Sequence, residues 1–180
     1  MNITELLREK QSTSEVLSVF HDEQASSPAY SGMLAAADGE CALFYCVSPA
    51  GKYDGYILDF IKNIANIRSG TRYESGRARL FRHYKQAHMP VAAEEDIKTC
   101  FFAFIQKHRF TVNVTLQDPK QNGLIAFWEA YDAGNRTLKF TLLNEYGDIS
   151  GEASVSLADI KQISSERETE RTARNLHLLG

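Results

Sequence analysis

Proline is scarce, four residues in 180, which leaves no material for a proline-rich linker or a long disordered tract. Cysteine is scarce too. Cys41, Cys46 and Cys100 are odd in number and lack CxxC spacing. They read as reduced thiols of a cytoplasmic protein, not as a disulfide framework or a zinc site. No apolar run approaches the roughly 18 residues of a spanning helix. Glu5 and Glu9 interrupt the stretch that a signal peptide keeps apolar, so no membrane association is expected. Neither sign of charge dominates: 20 Lys and Arg stand against 23 Asp and Glu, a net charge of −3. That balance argues against a general polyanion binder. There is no glycine-rich phosphate loop. His21, His83, His88, His108 and His177 lack metal spacing. Asp54, Asp59, Glu152 and Asp159 form no recognisable acid/base pair. Nothing converges as an active site should, so the reading is of a protein with no catalytic residues, metal or cofactor.

What the chain does have is an internal repeat, the first thing to seek in a sequence. Shifted by 96 residues, Asp22 falls on Asp118, Phe44 on Phe140, Gly51 on Gly147 and Gly55 on Gly151. Ile64 falls on Ile160, Ile67 on Ile163 and Glu74 on Glu170. The register loosens in the middle, where Gly32 is expected to answer Gly123. The copies are placed at residues 1–88 and 93–180, with Gln86–Ala93 as the linker.

Each copy reads as a helix, several short strands and a closing charged helix. Helices are predicted over Ile3–Lys10, about Glu94–Lys107, Thr71–Tyr84 and Glu166–Leu179. Strands of the second copy are predicted over Phe110–Gln117, Gly123–Asp132, Thr137–Leu143, Glu152–Leu157 and Ile160–Ser164. Leu138-Lys139-Phe140-Thr141-Leu142 alternates with period two, the mark of a half-buried strand. Ser48-Pro49-Ala50-Gly51, Asp132-Ala133-Gly134-Asn135 and Asn144-Glu145-Tyr146-Gly147 supply turn residues, several of them tolerant of positive φ.

A helix followed by five short bent strands resembles the Sm-like (LSm) family. The resemblance is carried by Gly123-Leu-Ile-Ala-Phe-Trp-Glu-Ala-Tyr-Asp132, Leu138–Leu143, Ser156–Ile160 and Ile163, with a worn counterpart at Gly32–Asp38, Ala42–Val47, Ile64 and Ile67. It implies a mainly β fold with short helices: two tandem Sm-type small five-stranded antiparallel barrels, each with an N-terminal helix. It also implies assembly through strand edges and RNA as a ligand. RNA-binding members carry an Arg-Gly or Lys-His pair near the turn between strands four and five. The corresponding Leu58–Asn63 and Ser154–Asp159 carry neither.

The offset also sets one strand face of each copy against the other. The second copy has Asn113, Thr115, Lys139, Thr141, Glu152, Ser154 and Ser156 where the first has Leu17, Val19, Leu43, Tyr45, Tyr56, Leu58 and Phe60. Burying those seven would contribute on the order of 10–20 kcal/mol before entropy. Such a patch must be covered, within the chain by the Thr71–Tyr84 helix or the second barrel, or else by a partner, another copy or a different protein. The same register turns Asp59 inward at the position of Val155, which a bulge or a one-residue slip would undo.

The only charge cluster holds Arg68, Arg72, Arg77, Arg79, Arg82 and Lys85, with Tyr73, Phe81, His83 and Tyr84 interleaved. Cations neutralise phosphates and aromatics stack on unpaired bases, so Arg68, Arg72, Arg77, Arg79, Arg82, Tyr84 and Lys85 form a candidate strip for single-stranded RNA. The other reading is an amphipathic helix with Tyr73, Leu80, Phe81 and Tyr84 turned inward. The leading functional expectation is a non-catalytic interaction protein that assembles through the apolar face or strand edges; the alternative is an RNA-binding regulator.

Overall fold

A computed structural model describes residues 2–11, 13–92, 96–121 and 123–179. The chain divides into two compact units, Met1–Phe101 and Phe102–Gly180. The first contains helix α1 (Ile3–Lys10), strands β1 (Val16–Phe20), β2 (Tyr30–Ala37), β3 (Cys41–Val47), β4 (Tyr53–Phe60) and β5 (Asn66–Arg68), and helix α2 (Arg72–His83). Helix α3 (Ile97–His108) leads into β6 (Thr111–Leu116), β7 (Leu124–Asp132), β8 (Thr137–Leu143), β9 (Ile149–Ser156), β10 (Ile160–Ser165) and helix α4 (Glu168–Leu179).

The helix starts follow from local chemistry. Asn2 caps α1 and Thr71 caps α2, each with a reciprocal glutamate, Glu5 and Glu74. These capping boxes satisfy amide donors that the first turn leaves without partners. Gly51 and Gly147, with φ of 70° and 85°, make the turns before β4 and β9, where a side chain would be strained.

The strands do not close into barrels. The strand order is β5-β1-β2-β3-β4 in the first unit and β10-β6-β7-β8-β9 in the second, each an open sheet, and this corrects the expectation of two closed five-stranded barrels. Closure needs the two outermost strands of a sheet to pair with each other at a fixed stagger. In the first unit those are β4 and β5: a three-residue 3-10 turn, Ile61–Asn63, separates them, and β5 pairs over three residues with β1, not with β4. Sequence periodicity shows which residues alternate, but not whether a bent sheet meets its own edge.

The duplication reaches into strand register. Phe44 faces Ile57 as Phe140 faces Ala153, so the offset of 96 holds through β3 and β4. Each unit interrupts its second hairpin in the same place, between Leu34 and Ala36 and between Trp128 and Ala130. Leu34 and Trp128 face Phe44 and Phe140, an offset of 94 for β2. Val19 and Val114 face Ile67 and Ile163, an offset of 95 for β1. Gly32 faces Leu17 where Ala126 faces Val112. Gly32 therefore answers Ala126 and not Gly123, because the shortened β1–β2 loop moves the pairing rather than the glycine.

Candidate functional site

The one-residue slip in β1 divides the seven apolar candidates. Leu17 and Val19 join Leu7, Phe44 and Ile57 in the core cluster beneath α1. Odd steps along a strand change its face, and the loop before β2 determines which face β1 shows. Leu43, Tyr45, Tyr56, Leu58 and Phe60 do share the opposite face, with Leu43 opposite Leu58 and Tyr45 opposite Tyr56. All of them but half-buried Tyr45 are buried.

Much of the cover over this second face comes from the segment after α2. The His88 ring lies between Tyr45 and Phe81, stacked on each at 5.1 and 5.4 Å, with Tyr53 and Tyr56 around it. Its Nε2 donates to the Cys46 carbonyl at 2.9 Å. The Val91 amide donates to the Tyr45 hydroxyl, and the Tyr56 hydroxyl both receives the Met89 amide and donates to the Met89 carbonyl. Residues read as a linker thus form a strap on the sheet. Burial pushes the His88 pKa down to about 4, against the pull of the Cys46 carbonyl. Between pH 6.5 and about 4, the unfolded chain binds a proton that folded His88 rejects. Stability is therefore expected to fall across that window as pH drops, by up to about 3 kcal/mol. Urea unfolding of the wild type and His88→Phe at pH 7 and pH 4.5 checks this. The acid-induced loss should shrink in the variant, and equal losses in the two proteins would remove His88 as its cause.

Sequence reasoning missed a buried polar cluster. Asp59 is fully buried; its Oδ2 lies 2.7 Å from His21 Nε2 and accepts the Tyr30 hydroxyl at 2.8 Å. Asp59 faces Ala42 as Val155 faces Leu138. Its inward position is therefore genuine, with no bulge or slip at that point. The signal was available as an acid on a core position with a histidine just beyond β1, but its partners were not.

The basic strip also separates. Arg77 is buried, donating to the Val47 carbonyl and the Tyr73 hydroxyl. Arg68 lies 3.7 Å from Glu74 and over the Phe20 ring. Arg72, Arg79, Arg82, Tyr84 and Lys85 are exposed. Buried Glu74, whose pKa is lowered because hydrogen bonds from Ser18 and Thr71 outweigh its burial, ties α2 to β1. Its counterpart Glu170 is tied to β10 through Ser164.

Around α2, a groove of about 540 Å³ runs between the helix and β1–β2. Val16, Met33, Ala78 and Phe81 supply its apolar wall, and Arg79 and Arg82 are at its margin. On the second unit, Glu129, Lys139, Thr141, Glu152 and Ser154 line a shallow polar depression. Trp128 stacks on Phe102 at 4.3 Å, which engages one face of the indole. Burial and Asp38 push the Cys41 thiol far up, away from nucleophilic reactivity. Among the described residues, no three His, Cys, Asp or Glu side chains gather where a metal ion would sit. No described helix is long and apolar enough to cross a membrane.

No family model, curated protein or solved structure matches this chain. The geometry therefore carries the functional argument alone.

Proposed function

We propose that this chain is a non-enzymatic assembly module, a tandem relative of the Sm-like proteins, whose copies join through strand edges. The observation that carries the reading is that each unit has an open sheet, with β5 outermost in the first and β9 outermost in the second. An outermost strand presents a row of backbone donors and acceptors ready for another strand. Soluble proteins guard such edges with lysine or proline. β9 reads Ile149-Ser-Gly-Glu-Ala-Ser-Val-Ser156 and has neither. Its single charge is Glu152, while β5 ends on Arg68, a pairing of opposite signs. The apolar face is the weaker route, because its residues are already buried within the chain. Kinship with Sm-like proteins is supported by the helix that precedes each set of five strands and by the repeated bulge in the second hairpin.

Sedimentation equilibrium tests the reading. The expected mass exceeds the 20.2 kDa of one chain and rises with concentration. Proline is then placed singly at Ser154 and at Val155, whose amides point to opposite sides of β9. One variant should lose thermal stability, and the other should stay folded and become monomeric. A wild type that remains monomeric at tens of micromolar, or an assembly that survives both prolines, rejects the proposal.

The exposure of Arg72, Tyr84 and Lys85 favours single-stranded RNA as a second reading. Salt-dependent binding that weakens in Arg72→Glu with Lys85→Glu would support it, and absence of binding at low salt would end it.

A further inference from the structure

The duplication provides an internal control for the groove beside α2. Gly51 meets Leu80 and Phe81 as Gly147 meets Leu176 and His177, so the offset of 96 holds along both closing helices. By that offset, Gly70 corresponds to Glu166, Ser75 to Arg171 and Ala78 to Arg174. In the second unit Glu166 and Arg174 form an ion pair, and the Arg174 guanidinium also lies over the Phe110 ring. Gly70 and Glu166 both have left-handed backbone, with φ of 76° and 60°, so the two helices start from the same kind of turn. On the sheet side, β2 places Met33 where β7 places Phe127, which contacts His177. The second unit thus fills its helix–sheet seam with its own large side chains. The first has glycine, serine, alanine and methionine at those places, and they line the groove.

The charge at the groove is also particular. Glu15 is paired with Lys10 at 2.9 Å, and Glu74 has Arg68 beside it. Arg79 and Arg82 line the groove and make no ion pair among the described residues. Their counterparts in the second unit are Asn175 and Leu178. Small-molecule sites commonly enclose roughly 300–1,000 Å³, with mostly apolar walls and a few polar groups that fix orientation. A groove of about 540 Å³ with two guanidiniums on one side fits that description.

We propose that this groove binds a small amphipathic organic anion, a compact apolar body joined to one carboxylate or sulfonate. The apolar body lies against Val16, Met33, Ala78 and Phe81, and the anionic group faces Arg79 and Arg82. This inference stands apart from assembly through strand edges, since neither β9 nor the outer side of β5 takes part.

The full chain is titrated with the fluorescent probe anilinonaphthalene sulfonate, followed by displacement with octanoate and, separately, octanol. Wild type should bind the probe and release it to octanoate much more readily than to octanol. Arg79→Gln with Arg82→Gln changes exposed side chains only and should weaken octanoate binding about tenfold, the scale of two modest ion pairs. Gly70→Glu with Ala78→Arg rebuilds the pair of the second unit and should abolish probe binding. Circular dichroism establishes that each variant is folded; if the filled variant is not, the two-arginine variant decides alone. Octanol matching octanoate overturns the proposal, as does unchanged binding in the folded filled variant. Displacement by single-stranded RNA but not by octanoate also overturns it and assigns the cations to a polynucleotide.

Discussion

His21→Ala is expected to destabilise the chain by about 3–5 kcal/mol, the range for a buried polar pair that loses one partner. Asp59 is fully buried, and Oδ2 makes its two contacts, with His21 at 2.7 Å and Tyr30 at 2.8 Å. Oδ1 has no hydrogen-bond partner among the described residues. Truncating His21 leaves a buried carboxyl group held by one hydroxyl. Tyr30→Phe should cost less, about 1.5–3 kcal/mol, because the imidazole remains. The duplicated unit suggests the compensating change. Val155 occupies the position of Asp59, so Asp59→Val in the His21→Ala background removes the group that needs a partner and should recover much of the loss. Urea unfolding of the single and double variants, with unchanged m-values, is the measurement. A His21→Ala loss below 1 kcal/mol, or a double variant no better than the single, would show that the cluster does not act as a unit.

The second large effect belongs to Gly51. A Cβ there would lie 2.2 Å from the Leu80 Cβ and 3.0 Å from the Phe81 amide nitrogen, in a backbone with φ of +70°. Left-handed backbone costs a residue with a Cβ roughly 1–2 kcal/mol, and forcing extra volume into a packed seam adds about 1–3 kcal/mol. Gly51→Ala should therefore lose about 2–5 kcal/mol. Gly147→Ala should behave alike, since its Cβ would meet the His177 amide nitrogen at 2.5 Å and the Leu176 Cβ at 2.7 Å. Gly76 is the control. It lies within α2, and beyond its own helix backbone no described atom comes within 4 Å of a Cβ, so Gly76→Ala should stabilise by up to about 1 kcal/mol. Thermal melts of the three variants decide the matter. A Gly51→Ala melt at or above that of wild type would mean that α2 does not press on the turn before β4.

Much of the local structure was legible because its causes are local. The predicted helix Ile3–Lys10 and strand Thr137–Leu143 match the structure residue for residue, the first fixed by a capping box and the second by period-two alternation between turns. Predicted strand Glu152–Leu157 begins at Ile149. The glycine in the stretch weakened its pattern, yet Gly151 pairs with Leu142. The basic strip was legible as composition but not as a surface. Arg77 carries the same charge as Arg79, and only packing decides that one donates to the Val47 carbonyl while the other lines a groove. The strap was read as a linker for a similar reason: a histidine shows no preference for a nest of four aromatic rings until those rings are assembled.

The order of residues alone determined that one pattern occurs twice, where its turns fall and which stretches extend or coil, since dihedral preference, capping and alternation act within a few positions. Tertiary structure decided everything that depends on neighbours far along the chain. It left the sheet of each unit open, because closure is a matter of stagger and not of periodicity. It sent Leu17 and Val19 to the opposite face from Leu43 and Tyr45, because a loop one residue shorter inverts a strand. It brought His21 and Tyr30 to Asp59. And it left beside α2 a groove that the other copy fills with an ion pair, because side chains at equivalent places can differ in volume while the backbone stays the same.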